Sequence, residues 1–396
     1  MTHMPLPLLL ALLTAIAPLA IDMYLPAMAA MAADLNTDIH HVELSVSAFL
    51  VGYAVGQLTG GPLSDRFGRR PIILLGLVLY FIASVMLIQV DQLDGLLLWR
   101  AIQAIGGGLA TVNSPAVVRD RFQGDDIART LSMVAMIMMV APLLAPALGA
   151  VIIHFGDWRD IFVILAGYSL VVIAIVMFVL DESHPPERRS RQSPWRNYWQ
   201  VISHTEARPY IVALAFAFST MFVFITAAPF LYLEYYQRPP SQFAWLFGAN
   251  IIVMMSLNRL NVRLLPRFGS KHLLQVGTLL QLAATVSLVV LTQTMEKPSL
   301  WLVLPLIMLS VGAIGLIAAN AISSVLQHFH TISGSATALI GVTEFLAGAL
   351  LGWFWTQVHD FSARPMMLVM MFSAAMGCLC VWIANQRSQR STHATS

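Results

Sequence analysis

Two carboxylates deep in apolar sequence are the residues of this chain best suited to chemistry. Of its 20 acidic residues, only Asp22 and Glu344 fall well inside long apolar runs. A charge at the bilayer centre costs at least about 2.5–3.5 kcal/mol on insertion scales, so such a residue persists where water, a partner or a function compensates. The plainer interpretation of both is a structural ion pair or a residue that faces a wet cavity. An acid in this position otherwise predicts the binding of a proton or a cation.

Arg100 is the cation that Asp22 is expected to meet. Asp22 lies in the outer half of the first apolar run, and Arg100 lies about one and a half turns into the fourth run from the same side. Desolvation favours the neutral acid, whereas a nearby guanidinium favours the carboxylate. We therefore hypothesise that Asp22 is the proton acceptor and that movement of Arg100 switches its affinity for protons.

Glu344 has glycines on either side of it in its run, at Gly341, Gly348 and Gly352. These glycines permit close helix contact. The carboxylate is expected to bind a cationic substrate, to carry a second proton or to pair structurally, and the sequence does not rank the first two.

Other polar and aromatic residues are candidates for substrate binding together with Asp22 and Glu344. Each of them is more often a hydrogen bond between packed helices than a ligand contact. They are Tyr24, Tyr53, Gln57, Asn113, Tyr232, Asn250 and Asn320.

A short polar turn with a distinctive pattern separates the second and third apolar runs. Its backbone cannot lie in hydrocarbon, and its arginines place it at the cytoplasmic face. Phosphate binding is the alternative for a basic loop with glycines, but no strand precedes it and the glycines are wrongly spaced for a P-loop. The residues of this candidate gate motif are Gly61, Asp65, Arg66, Gly68, Arg69 and Arg70.

The elements that must position these residues are membrane-spanning helices. The chain of 396 residues is 58% hydrophobic and only 11% charged, whereas a soluble chain averages about 25% charged residues. A span needs about 20 mostly apolar residues, and twelve runs qualify. They are 6–33, 43–60, 71–90, 95–117, 128–153, 160–180, 209–233, 242–260, 272–293, 299–323, 333–357 and 365–385.

The distribution of cations predicts the orientation of these spans. Most of the 22 Lys and Arg residues fall in segments on one side, which the positive-inside rule assigns to the cytoplasm. Both termini are therefore expected in the cytoplasm. The outer segments hold only Arg159, Arg238, Lys297 and Arg364.

A long polar segment divides the spans into six and six. Residues 181–208 contain three prolines and several arginines and suit a cytoplasmic linker. Positive-inside topology explains its arginines more simply than nucleic-acid binding does. We predict domains at 1–180 and 209–396, the second ending in a short cytoplasmic tail.

A repeat supports this division. Four residues between the second and third runs of the first half recur between the corresponding runs of the second half, which is typical of transporters built from two parallel repeats. Pro266 stands where the first copy has Asp65, so only the first copy offers a carboxylate there. Arg66, Phe67, Gly68 and Arg70 recur 201 residues later as Arg267, Phe268, Gly269 and Lys271.

The motifs together resemble those of a known family. Residues 61–70 fit the pattern G-x-L-(A/S)-D-R-x-G-R-(R/K) of the major facilitator superfamily. Residues 22–26, residues 226–234, and Arg100 with Gln103 resemble motifs of its bicyclomycin/chloramphenicol-resistance (Bcr/CflA) drug/proton antiporters. The resemblance implies an all-α membrane protein with twelve transmembrane helices in two pseudo-symmetric six-helix bundles.

The fifth run resembles the antiporter motif G-x-x-x-G-P-x-x-G-G. It retains Pro146 and Gly149, with alanine at three of the glycine positions, Ala141, Ala145 and Ala150. By the same resemblance, Asp65 joins a cytoplasmic lock in which Arg119 is a plausible partner.

The function implied is proton-coupled efflux of small amphipathic drugs, such as chloramphenicol or bicyclomycin, by alternating access. The expected protein is a monomer in the bacterial inner membrane, with no cofactor beyond the proton gradient and no nucleic-acid partner. Export of an endogenous amino acid, peptide or siderophore is the alternative within transport, and a non-transporting receptor is a distant one. An enzyme is not expected because common catalytic motifs are missing, and the 2 cysteines, Cys378 and Cys380, do not make a metal site.

Overall fold

The structure is a computed structural model of the chain and describes residues 6–185, 187, 194–329 and 332–394. For residues 125, 128, 194 and 388–394 it describes the backbone alone. Part of the predicted linker, residue 186 and residues 188–193, lies outside the described residues.

Twelve helices in the described part of the chain are long and apolar enough to cross a membrane. No strand occurs among these residues, so the predicted all-α architecture with twelve spans is confirmed. Helices suit this setting because they satisfy their own backbone N–H and C=O groups. We label them α1 to α12: Leu6–Asp34, Ile39–Phe67, Arg69–Leu87, Leu93–Arg121, Arg129–Phe155, Arg159–Val179, Arg208–Tyr235, Pro240–Phe268, Ser270–Thr294, Leu300–Leu326, Ser333–Val358 and Arg364–Arg387.

Several helices run past the apolar stretches that predict them. Helix α2 begins at Ile39 rather than residue 43, because the side chain of Asp38 accepts a hydrogen bond from His41 N at 3.0 Å and caps its first turn. It continues to Phe67, where Gly68 ends it with φ 105°. A span drawn from hydropathy ends at the first charged residues, whereas the helix itself continues to its capping residue.

Four spans are interrupted, and they are the first and fourth of each half. Proline favours two of the breaks, since Pro26 and Pro115 have no N–H to continue the helical hydrogen bonding. The segments are Leu6–Asp22, a 3₁₀ turn Leu25–Ala27 and Met28–Asp34 in α1; Leu93–Thr111 and Ser114–Arg121 in α4; Arg208–Pro229 and a π-helical turn Phe230–Tyr235 in α7; and Leu300–Gly312 and Ile314–Leu326 in α10.

The chain divides into two compact units, Met1–Gln192 with Arg238–Trp245, and Ser193–Gln237 with Leu246–Ser396. In the first unit α3 packs against α4 and α6, and α1 packs against α5. In the second unit α9 packs against α10 and α12, and α7 packs against α11. The same helix pairs therefore recur in each unit, while the domain boundaries drawn from the sequence stay a prediction.

Details at the helix ends repeat as well. Gly269 has φ 74° between α8 and α9, where its counterpart Gly68 lies between α2 and α3. Arg159 begins α6 and donates from Nη2 to Val90 O at 2.9 Å. Arg364 begins α12 and donates from Nε to Thr292 O at 2.9 Å. The repeat seen in four sequence positions thus extends to the backbone and to side-chain hydrogen bonds.

Helices α2 and α4 approach each other through glycine. A Cβ added at Gly108 of α4 would lie 2.9 Å from Gln57 N and 3.0 Å from Gly56 Cα, both on α2. These contacts are with backbone, which cannot swing aside. The close packing of α2 on α4, which carries Arg100, therefore depends on the missing side chain.

We predict that Gly108→Val lowers the stability of the purified protein. Overpacking typically costs about 1–3 kcal/mol, and backbone neighbours place this site at the upper end of that range. The measurement is the thermal unfolding midpoint in detergent.

Gly167→Ala in α6 is the matched control, because nothing lies within 4 Å of its added Cβ. Replacing a helical glycine by alanine gains up to about 1 kcal/mol, so the midpoint should stay or rise. Equal midpoints for Gly108→Val and the unaltered protein would contradict the packing argument.

Candidate functional site

Asp22 is the last residue of the first helical segment of α1, at the interruption of the span. Pro26 follows four residues later, and a proline ring has no N–H for the carbonyl of residue 22 and clashes with it. The regular helix therefore ends at Asp22, and the chain turns through Leu25–Ala27 before resuming. The break places a carboxylate at the C-terminal end of a half-helix inside the span.

The Asp22 side chain is buried, with 4% of the residue exposed. Its Oδ1 atom has no hydrogen-bond partner in the described part of the chain. Most polar side chains buried in these spans bond to a neighbour, so an unpartnered carboxylate oxygen marks this position as available to a proton or a ligand.

Arg100 lies close to Asp22 in the chain fold but is held by other groups. Its guanidinium lies 4.2 Å from the ring centroid of Tyr24 and 4.5 Å from that of Phe49. It donates from Nη1 to Gln103 Oε1 at 2.7 Å and from Nη2 to Ala20 O at 2.9 Å. Cation–π contacts and a carbonyl at the break thus bind the guanidinium. The expected level of Arg100 is right to within a helical turn, and no salt bridge joins it to Asp22 among the described residues.

A hydrogen-bonded chain anchors Arg100 to α3. Gln103 Nε2 donates to Ser84 Oγ at 2.8 Å, and Ser84 Oγ donates to Tyr80 O at 2.8 Å. Gln103 and Ser84 are fully buried. Sequence reasoning missed Ser84 and Phe49, because a lone serine or phenylalanine in an apolar run carries no signal of its own.

The antiporter motif in α5 packs on the break in α1. A Cβ added at Gly149 would overlap with Met23 O, the carbonyl next to Asp22. Ala145 is fully buried one turn earlier, beside Pro146. The residues of this motif and the candidate proton site therefore form one contact region of the first unit.

The other polar candidates in the first unit are bonded within it. Tyr24 shares a hydrogen bond with Ser45 at 2.9 Å, and Tyr53 shares one with Thr111 at 2.7 Å. Asn113 Nδ2 donates to Leu109 O at 2.8 Å, while its Oδ1 has no partner in the described region. These bonds hold neighbouring helices or the same helix together.

Gln57 completes the candidates of the first unit. Its side chain is half-buried, one turn after Tyr53 on α2. Gln57 Oε1 also has no hydrogen-bond partner among the described residues. Gln57 and Asn113 therefore each retain a buried acceptor atom without a partner among the described residues.

The amide nitrogens of the candidates in the second unit are hydrogen-bonded. Asn250 Nδ2 donates to Leu246 O at 3.0 Å on its own helix, and Asn320 Nδ2 donates to Asn261 Oδ1 at 2.7 Å on the neighbouring helix. Tyr232 is fully buried in the π-helical turn of α7. Asn250 Oδ1 has no hydrogen-bond partner among the described residues. Glu344 is half-buried, and no hydrogen bond or ion pair reaches it from the described residues.

A third buried acid escaped the sequence analysis. Glu43 is fully buried on α2, and its Oε2 lies 3.1 Å from His40 Nδ1. Glu43 begins its apolar run and lies in the second turn of α2, so it is not well inside the span as Asp22 and Glu344 are. His40 preceding Glu43 by three residues was the available signal.

The gate motif forms an ion cluster at the end of α2. Asp65 pairs with Arg69 at 2.5 Å, and Arg69 Nε lies 3.4 Å from Asp120 Oδ2. Arg69 Nη1 also donates to Ser64 Oγ at 2.6 Å. Arg119, named as a partner of Asp65, is exposed. The partner is Arg69 instead, which begins α3 directly after the turn at Gly68.

Glu182 ties this cluster to the segment after α6. Its two carboxylate oxygens accept hydrogen bonds from Arg69 N at 2.9 Å and Arg70 N at 3.3 Å, at the start of α3. Arg70 Nη2 donates to Met177 O at 2.6 Å. A carboxylate suits the first turn of a helix, whose N–H groups lack partners.

The comparisons with known proteins agree with this architecture. The model of the Major Facilitator Superfamily matches residues 10–352. A "Bicyclomycin resistance protein homolog" from Haemophilus influenzae is 30% identical over 387 residues and covers 97% of both chains. A "Chloramphenicol resistance protein" from Pseudomonas aeruginosa is 28% identical and covers 90% of this chain and 84% of the relative. A multidrug transporter MdfA from Yersinia pestis is 26% identical, covering 96% and 94%.

Solved structures show the same fold at low identity. A D-xylose–proton symporter superposes with a TM-score of 0.74 at 18% identity and covers 96% of this chain and 95% of its own. A peptide transporter superposes with a TM-score of 0.77 at 13% identity, covering 97% and 94%. With these findings beside the twelve spans and the gate cluster, the chain belongs to the major facilitator superfamily of membrane transporters, in the family of the bicyclomycin and chloramphenicol resistance proteins.

Proposed function

We propose that this transporter exports small amphipathic drugs in exchange for protons, and that Asp22 carries the proton. The observation that supports this most is the buried Asp22 carboxylate at the break in α1, with an oxygen that lacks a partner in the described chain. The relatives named for resistance to bicyclomycin and chloramphenicol suggest compounds of that kind as substrates.

The energy available from protons is sufficient for such export. One charge that crosses 100 mV gives about 2.3 kcal/mol, which supports a concentration gradient of roughly fifty-fold. Two states of the α1 break would couple the fluxes if substrate and proton compete for Asp22. Arg100 donates a hydrogen bond to Ala20 O, close to that break. We therefore expect movement of α1 to shift Arg100 and to change the proton affinity of Asp22.

The gate cluster serves the same cycle in this proposal. Arg69 is the shielded member of the cluster, with 11% of its side chain exposed, whereas the Asp65 side chain is 47% exposed. Its charge contacts with Asp65 and Asp120 stabilise one arrangement of the helix ends and release it when the geometry changes. We assign the cluster to the cytoplasmic end and infer a monomer in the inner membrane, with both termini in the cytoplasm and no cofactor.

We predict that Asp22→Asn abolishes proton exchange while substrate binding persists. Asparagine has nearly the same shape as aspartate, but its amide does not titrate. Addition of chloramphenicol to the purified unaltered protein in weakly buffered detergent should release protons, and the variant should release at least about tenfold fewer. Asp94→Asn is the control, because Asp94 is an exposed acid in the first turn of α4. Full proton release by Asp22→Asn would rule out Asp22 as the carrier.

We predict that Arg69→Ala impairs export and that Arg119→Ala does not. Arg69 contacts Asp65, Asp120 and Ser64 and is itself largely buried, whereas Arg119 is exposed. Uptake of chloramphenicol by everted membrane vesicles under a pH gradient is the measurement. Equal losses in both variants would favour Arg119 as a second partner of Asp65.

The orientation is testable with two single cysteines at opposite ends of α4. In a protein with serine at 378 and 380, Gln92→Cys and Gln123→Cys introduce exposed thiols just before and just after that span. A membrane-impermeant maleimide added to intact cells with a permeabilised outer membrane should label position 92 and not position 123. The reverse pattern would place the gate cluster outside.

A further inference from the structure

Glu344 is an acid within α11 that the proton scheme does not use. It lies near the middle of Ser333–Val358, and its side chain is half-buried. No described residue forms a salt bridge or hydrogen bond with it. A charge exposed to hydrocarbon is costly. The Glu344 carboxylate must therefore face water, pair with a positive charge or bind a proton.

The second unit offers no internal cation for this role. Among the described residues of α7–α12, no arginine or lysine is fully buried. Arg259 and Arg263 on α8 are exposed, and Arg364 is bonded to Thr292 O at the start of α12. The first unit differs, because Arg100 is fully buried there. The structural ion pair considered for Glu344 is therefore absent from the described residues.

An aromatic cluster of α7 and α11 packs one turn away from this acid. Glu344 and Gly348 are one turn apart on the same face of α11, and a Cβ added at Gly348 would overlap with the ring of Phe222 on α7. The ring centroids of Phe222 and Phe345 are 5.3 Å apart, and those of Phe222 and Phe218 are 6.4 Å apart.

The alternating direction of successive spans makes α7 and α11 parallel. Phe218 precedes Phe222 by one turn, as Glu344 precedes Gly348. The half-buried Phe218 and the half-buried Glu344 are therefore at one level of the packed pair. A carboxylate attracts an organic cation by its charge, and an aromatic face attracts it through a cation–π contact. Together they can bind an organic cation that has no hydrogen-bond donor of its own.

We propose that Glu344, with Phe218 and Phe222, is the subsite that binds the positive group of lipophilic monocations, such as quaternary ammonium or phosphonium compounds. The inference rests on the proposed export of amphipathic compounds and adds a substrate class to it. Neutral compounds such as chloramphenicol do not need this carboxylate. Glu344 thus determines which charge type the transporter accepts, while Asp22 binds the proton.

The test is equilibrium binding of tetraphenylphosphonium and of chloramphenicol to the purified full chain at one pH. Glu344→Gln keeps the shape and removes the charge, and Glu344→Asp keeps the charge on a shorter side chain. We expect Glu344→Gln to weaken tetraphenylphosphonium binding by at least about tenfold, the scale of a single ion contact shielded from water. Chloramphenicol binding should change less than about twofold, and Glu344→Asp should retain most cation binding.

A second pair of variants tests the aromatic contribution. Phe218→Leu should weaken tetraphenylphosphonium binding by about threefold, within the range of a cation–π contact. Phe216→Leu is the control on the same helix, because Phe216 packs against Phe372 of α12 instead. Equal effects of the two variants would argue against an aromatic wall at Phe218.

The outcomes separate this inference from the proposed function. Unchanged tetraphenylphosphonium binding in Glu344→Gln, or equal loss of both ligands, overturns the subsite and in the second case favours a second proton site or a structural role. Binding of tetraphenylphosphonium that depends on Glu344, in a protein that moves no protons, keeps the subsite and overturns the proton coupling.

Discussion

Every polar group inside these spans must find its partner within the protein or in water, because hydrocarbon offers none. Most buried groups obey this rule through short local bonds, such as Thr14 to Leu10 O and Ser219 to Ala215 O. Side chains that do not obey it stand out for that reason. Asp22 in the first unit and Glu344 in the second are such residues, and each lies where helices are packed through small residues.

Helix interruption is the means by which the fold creates the position of Asp22. The break in α1 ends a regular segment at Asp22, and the small residues of α5 fill the space beside it. Without Pro26 the segment would continue as a helix, and without Gly149 the two helices would lie further apart. The counterpart in the second unit is the π-helical turn after Pro229 in α7. Interruption of the same two spans in each unit indicates that the irregular backbone is part of the repeat rather than a local accident.

The sequence predicted the spans, their repeat and the chemical type of the site more fully than the partners of each residue. Hydropathy and length determine where a chain can cross a bilayer, and both are local properties. Partner choice depends on helix rotation, which is why Arg69 rather than Arg119 pairs with Asp65. It is also why Arg100 lies between the rings of Tyr24 and Phe49 rather than in a salt bridge with Asp22. The paired His40 and Glu43 were missed for a different reason, since polar residues at a helix start lower the hydropathy that would have revealed the helix.

Glu182 has a consequence for where this chain tolerates being divided. Its carboxylate supplies acceptors for two backbone N–H groups at the start of α3, and the next residue, Ser183, donates to Asp120 Oδ2 at 3.0 Å. The few residues after α6 thus belong to the first six helices as structural parts, although they read as the beginning of a polar connector. Separate expression of the two halves, or insertion of a reporter between them, should therefore leave the chain intact through His184.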